Sequence, residues 1–160
     1  MGHYLFQQLK FVRKATIEYV KGINKKQLEI IPDGLNNNIK WNIGHIYMVM
    51  EKFAFQLTGE KAVVPNHFPE LFNPGTSPKD WAIETPTIEE LNALLNEQQE
   101  RMKANLSERL AQPLQEIYHS STGLQISSIA ECLSFCLYHE GMHFGAIKGI
   151  NQRLQNKDLY

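Results

Sequence analysis

The chain predicts an all-α fold, a four-helix bundle with one long connection in the middle. Four segments repeat apolar residues every three or four positions, which is the helical period. Helix-start signatures stand at Thr87-Ile88-Glu89-Glu90 and Ser128-Ile129-Ala130-Glu131. Pro65, Pro69, Pro74, Pro78 and Pro86 crowd the stretch from 60 to 86, where no long helix or central strand can form. Short links on either side of that stretch make two antiparallel pairs, and the long link joins them.

The first helix is expected from about Tyr4 to Lys21, with Leu5, Leu9, Val12, Thr16, Tyr19 and Ile23 along one side. Pro32-Asp33-Gly34 and the run Asn36-Asn37-Asn38 mark a loop. A second helix opens near Lys40 and continues to about Thr58, where Gly59 is a stop signal. The proline-rich crossover carries Phe68, Leu71, Phe72 and Trp81, more apolar bulk than a solvated linker holds, so it is expected to pack along the bundle. The third helix starts at the Thr87 box, with Ile88, Leu91, Leu95, Met102 and Leu106 on its apolar face, and Pro113 closes that region. Residues 114 to 126 read as a loop or a short extended piece. The fourth helix starts at the Ser128 box and runs to about Leu154.

Bulk properties narrow the class. At 160 residues, with 42% hydrophobic and 21% charged, the chain suits one domain spanning residues 1 to 160 with a core of its own. There is no internal repeat or low-complexity tract. A net charge of -1 with no basic block gives no reason to bind nucleic acid. No segment reaches the roughly 20 apolar residues of a membrane span. The N-terminus reads as neither signal peptide nor acylation site: charges interrupt its apolar pattern, and Phe6 stands where acylation requires Ser or Thr. Cys132 and Cys136, four apart on one helix, are poorly placed for a disulfide, which suits a reducing cytoplasm.

The chemistry is in the histidines. His139 and His143 lie four apart in the fourth helix, about 6 Å along its axis and on one face. Ile129, Cys132, Cys136, Ala146 and Ile150 share that stripe, so it is expected to face inward. Inward imidazoles must be satisfied by ordinary hydrogen bonds or by an ion. His45, about one turn into the second helix beside Trp41 and Met48, is the candidate third ligand from another helix. Gly44 next to it would admit a close neighbour, either a helix or a substrate. His3, His67 and His119 read as surface residues.

His139-Glu140-x-x-His143 is also the zincin protease signature. Zincins need a third ligand downstream, and after His143 the only acidic residue is Asp158, while Gly149 stands where the metzincin histidine belongs. Glu140 therefore reads as a polar flank, turned about 100° from His139. Cys132 lies roughly 16 Å from His143 and cannot share its ion. Cys136 is near enough to reach the site but reads as a small core residue. Tyr118, Tyr138 and Trp81 read as packing, with Trp81 and Phe68 able to line a pocket mouth.

Trp41-Asn42-Ile43-Gly44-His45-Ile46 in the second helix, with His139, His143, Gly145 and Ile147 in the fourth, resembles the DinB/YfiT-like superfamily over the whole chain. The resemblance implies a bundle of up-down-down-up type, frequently homodimeric, in which His45, His139 and His143 bind a divalent metal, zinc or nickel. Relatives include thiol-dependent enzymes, among them a maleylpyruvate isomerase and bacillithiol S-transferases, and many others that carry only the label of metal-dependent hydrolase. The functional expectation is an enzyme whose three-histidine metal site keeps open coordination, transferring a low-molecular-weight thiol or hydrolysing a small-molecule substrate. The alternative is a non-catalytic metal-binding or stress-related protein, because no catalytic acid or base stands out. A third possibility is a metal-free bundle with core histidines.

Overall fold

A computed structural model describes residues 3–157. The expectations attached to the His3 side chain and to Asp158 lie outside the described residues. Among those residues the protein is mostly helical, with five α-helices and one two-stranded sheet. Helix α1 is His3–Lys21, α2 Ile39–Met50, α3 Phe68–Phe72, α4 Ile88–Leu106 and α5 Ile129–Lys157. Strands β1, Pro113–His119, and β2, Gln125–Ser128, pair antiparallel between α4 and α5.

Local chemistry sets the helix starts. Asn38 caps α2, its side chain accepting from the Trp41 N–H at 2.7 Å, which satisfies a donor the first turn leaves free. At α4 the capping box closes both ways: Glu90 N–H donates to Thr87 Oγ1 at 3.2 Å, and Thr87 N–H donates to the Glu90 carboxylate at 2.7 Å. At α5 the box is only half made. Glu131 N–H donates to Ser128 Oγ at 3.3 Å, but the Glu131 carboxylate accepts from the Ser127 N–H at 2.5 Å.

Two differences from the sequence reading matter for the site. The second helix does not run evenly to Thr58: α2 widens after Met50 into a π-helical turn, Glu51–Gln56, in which Leu57 N–H bonds the Lys52 carbonyl at 2.9 Å. The chain then leaves the helix through Gly59, at φ +80°. Residues 113 to 128, read as a loop or a short extended piece, form two paired strands, a hairpin that the sequence reading did not specify. Tyr118 pairs with Ile126 and His119 with Gln125, and the register shifts between Pro113 and Tyr118. Ile126 is buried in the core, so the hairpin is anchored by its inward side chain.

The core forms two apolar clusters. One gathers Ile17, Ile43, Tyr47, Phe72, Leu91, Leu95, Ile147 and their neighbours, and the other Leu9, Met50, Phe55, Met102, Ile129, Leu133 and theirs. On three long helices a buried polar residue falls between members of the two clusters, Arg13 on α1, Gln98 on α4 and Glu140 on α5, and buried Glu51 stands just past α2 beside Met50. They form one network. Arg13 pairs with Glu140 through Nε at 2.7 Å and Nη2 at 3.0 Å, and donates to the Leu95 carbonyl at 2.5 Å. Gln98 donates to the Tyr47 carbonyl and to Glu51, both at 2.9 Å, and Arg101 donates to Glu51 at 2.9 Å. Buried charges of this kind persist only when paired and fully hydrogen-bonded.

Candidate metal centre

Helical geometry alone places His139 and His143 together, one turn apart on α5. Packing of α2 against α5 brings His45 to them. Ring centroids stand 4.4 Å apart for His139–His143, 4.9 Å for His45–His143 and 5.2 Å for His45–His139. One nitrogen from each ring lies within 4.8 Å of the others. Two metal–nitrogen bonds of about 2 Å span at most about 4 Å, so the rings would draw together to share one ion. All three are buried.

Two of the rings are held by named oxygens. His45 Nδ1–H donates to the Phe72 carbonyl at 2.7 Å, and His143 Nδ1–H donates to Asn42 Oδ1 at 2.7 Å. The acceptors fix the tautomers, leaving Nε2 of each ring with the lone pair a ligand must offer. Asn42 is itself oriented, because its amide nitrogen donates to the Asn38 carbonyl at 2.7 Å. Trp41 stacks on His45 with centroids 4.5 Å apart and planes 11° from parallel, and its indole N–H donates to Thr76 Oγ1 at 2.8 Å. Burial also favours the neutral rings. It holds His45 below the usual imidazole value. Desolvation, with the other rings adding to it, lowers His139 to about 3 and His143 to about 4. Neutral, converging, pre-oriented imidazoles are the form a divalent ion binds, so this donor set fits the expected group.

Gly44 has a clear reason. A Cβ there would sit 2.4 Å from the nearest Phe72 ring atom, so the close neighbour is the crossover helix α3. The crossover thus reaches the centre through Phe72. Trp81 braces it, edge-on to Phe72 with its N–H on the Leu71 carbonyl at 3.1 Å. Phe68 is buried in the core, and neither Phe68 nor Trp81 lines a cleft at the triad.

Two clefts meet the triad. One of about 920 Å³ reaches His45 and His139 past Met48, Phe53, Phe135 and Tyr118. The other, about 550 Å³, reaches His143 past Trp41, Met142, Ala146 and Arg153. Ala146, expected to face inward, is exposed at that second cleft.

The remaining candidates sort clearly. Glu140 is fully buried against Arg13 rather than a polar flank, and its carboxylate is occupied by that partner. Glu51 is likewise held by Arg101, Gln98 and the Val63 N–H. Cys136 is buried among apolar neighbours that push its thiol well up, and it is not part of the converging group. His67 and His119 are exposed. The residues the sequence reading missed are Asn42 and Phe72. Asn42 stands three positions before His45 and inside the Trp41–Ile46 motif that carries the resemblance, which gave it no role of its own.

A helical chain with this histidine centre defines a class, and the chain belongs to the DinB superfamily, whose family model matches residues 8–147. The fold is also that of a solved structure described as a conserved protein from Enterococcus faecalis, at TM-score 0.73 and 12% identity over 98% of each chain. No curated protein matches the chain.

Proposed function

We propose that this chain is a divalent-metal protein, zinc or nickel, held by His45, His139 and His143. The observation that carries the reading is the convergence of three buried neutral imidazoles, two of them fixed through Nδ1 by Phe72 and Asn42. When bound, the ion supplies a Lewis-acid centre whose charge three neutral ligands leave undiminished. The protein orients the ligands through Asn42 and Phe72 and keeps Trp41 stacked over His45. Its larger cleft opens toward His45 and His139, which suits an enzyme acting on a small molecule, with thiol transfer or hydrolysis as the reaction class.

A non-catalytic metal protein is the second reading. It is favoured by the commitment of both nearby carboxylates, Glu140 and Glu51, to arginine partners, which leaves no free general base among the described residues at the triad.

The bundle reading is of up-down-down-up type within one domain. Its support is that α1 and α5 pass from the Leu9 cluster to the Ile17 cluster along the chain, while α2 and α4 pass the other way. Exposed Tyr4 and Phe11 on α1, and Tyr138 and Met142 on α5, are candidates for a homodimer face. Two unpaired buried thiols suit the cytoplasm. No described helix is long and apolar enough to cross a membrane.

The test is elemental analysis of protein purified without added metal, beside His143→Ala. About one equivalent of zinc or nickel, lost in the variant, is the expected result. No bound metal and no stoichiometric uptake on adding either ion would sink the reading.

A further inference from the structure

The cleft that reaches His45 and His139 carries a wall and a charge that a metal centre alone does not require. The wall is aromatic and continuous. Tyr118 stands 5.0 Å from Phe53, Phe53 4.4 Å from Phe135, and Phe135 5.9 Å from His139, centroid to centroid. At the far end the Lys52 ammonium lies 4.9 Å from the Tyr118 centroid and 5.6 Å from that of Phe53. Lys52 makes no ion pair among the described residues. The other charged lining residue, Glu51, is neutralised by Arg101 and only 1% exposed. Lys52 is therefore the unbalanced charge of the cleft.

The backbone supports the same conclusion. Lys52, Phe53 and Gln56 all belong to the π-helical turn and all line the cleft. Wide turns of this kind are rare and concentrate where side chains must be re-aimed for function. Tyr118 comes from the hairpin, so two irregular elements contribute to one wall.

We propose that this cleft takes an amphiphilic anion and that Lys52 determines that preference. The ligand's reactive end lies at the histidine triad and its apolar body along Phe135, Phe53 and Tyr118. Its carboxylate, or a comparable anionic group, lies at Lys52. The proposal rests on the metal reading above, which supplies its reactive end, and Lys52 supplies the charge selection.

Cobalt(II)-loaded protein separates the two. ω-Mercaptoalkanoates and ω-mercaptoalkanols of matched chain length are titrated in, and the thiolate-to-cobalt charge-transfer band reports binding. At low salt the acid should bind more tightly than the alcohol at chain lengths that span the wall. Lys52→Gln should weaken the acid by about fivefold, the scale of a partly exposed charge pair, and leave the alcohol unchanged. Lys52→Glu should make the alcohol the better ligand. Lys52 is exposed, so both variants should fold, and an unchanged cobalt spectrum before thiol is added verifies this. Equal affinity of wild type for acid and alcohol, or an acid preference that survives Lys52→Glu, would overturn the proposal. Failure to take up cobalt at all would instead sink the metal centre, and this proposal with it.

Discussion

His45 Nδ1–H donates to the carbonyl of Phe72 at 2.7 Å, while the Phe72 ring fills the space that a side chain at Gly44 would need. One residue of the crossover thus orients a candidate ligand with its backbone and abuts that ligand's helix with its ring. The crossover is part of the centre, and perturbing the contact should perturb both stability and metal affinity.

Gly44→Ala tests that coupling. The added methyl cannot be accommodated while Phe72 stays in place, and overpacking of this kind costs about 1–3 kcal/mol. Denaturant unfolding should show that loss, and metal competition titration should show weaker binding in the same variant. Normal affinity in a destabilised Gly44→Ala protein would mean that Phe72 is a packing residue only.

Asn42→Ala removes the acceptor that orients His143 while leaving all three candidate ligands present. Metal affinity should fall roughly tenfold to a hundredfold, the usual scale for loss of a partner behind a ligating histidine. Quenching of tryptophan emission by nickel is a direct readout, since Trp41 stacks on His45. An unchanged binding curve would refute a role for Asn42 in orienting the ligand.

Glu140→Gln should be severely destabilising, by about 3–5 kcal/mol, because it strands the Arg13 guanidinium in a buried site. Replacing both partners, Arg13→Met with Glu140→Met, should recover most of that loss. Because the Glu140 carboxylate is occupied by Arg13, the double variant should still take up one metal equivalent. Its failure to do so while remaining folded would show that Glu140 serves the centre directly.

Both thiols should resist alkylation in the native protein. Burial raises Cys132 to about 11 and pushes Cys136 higher still, so neither carries appreciable thiolate at mildly alkaline pH. Iodoacetamide followed by mass spectrometry should find no adduct until denaturant is added, and two adducts afterwards. Rapid modification of Cys136 in folded, metal-free protein would place its sulfur within reach of the site.

The parts of the centre that were legible in the sequence are those set by local geometry. The spacing of His139 and His143 puts them on one helix face whatever the rest of the chain does. The apolar pattern of the second helix points His45 inward, and the Thr87 box marks the start of α4 from four consecutive residues. The hairpin was less legible because Pro113–His119 is largely exposed and shows no clean alternation to distinguish it from a loop. The π turn left no signal because its residues are ordinary helix formers and aromatics, and the widening appears only as a shift in hydrogen-bond partner.

Helical periodicity is a short-range property, so the helical chain, two candidate ligands in register and an inward third could be read before any packing was known. What holds them came from the packing of distant segments. Arg13 and Glu140 lie 127 positions apart, and the acceptor for His45 is a backbone carbonyl, a group every residue carries and no residue advertises. The aromatic wall from Tyr118 to His139 draws on β1, the π turn and α5. Such contacts are chosen by how whole elements pack, and the energy that selects them is shared over the core rather than written in any one segment.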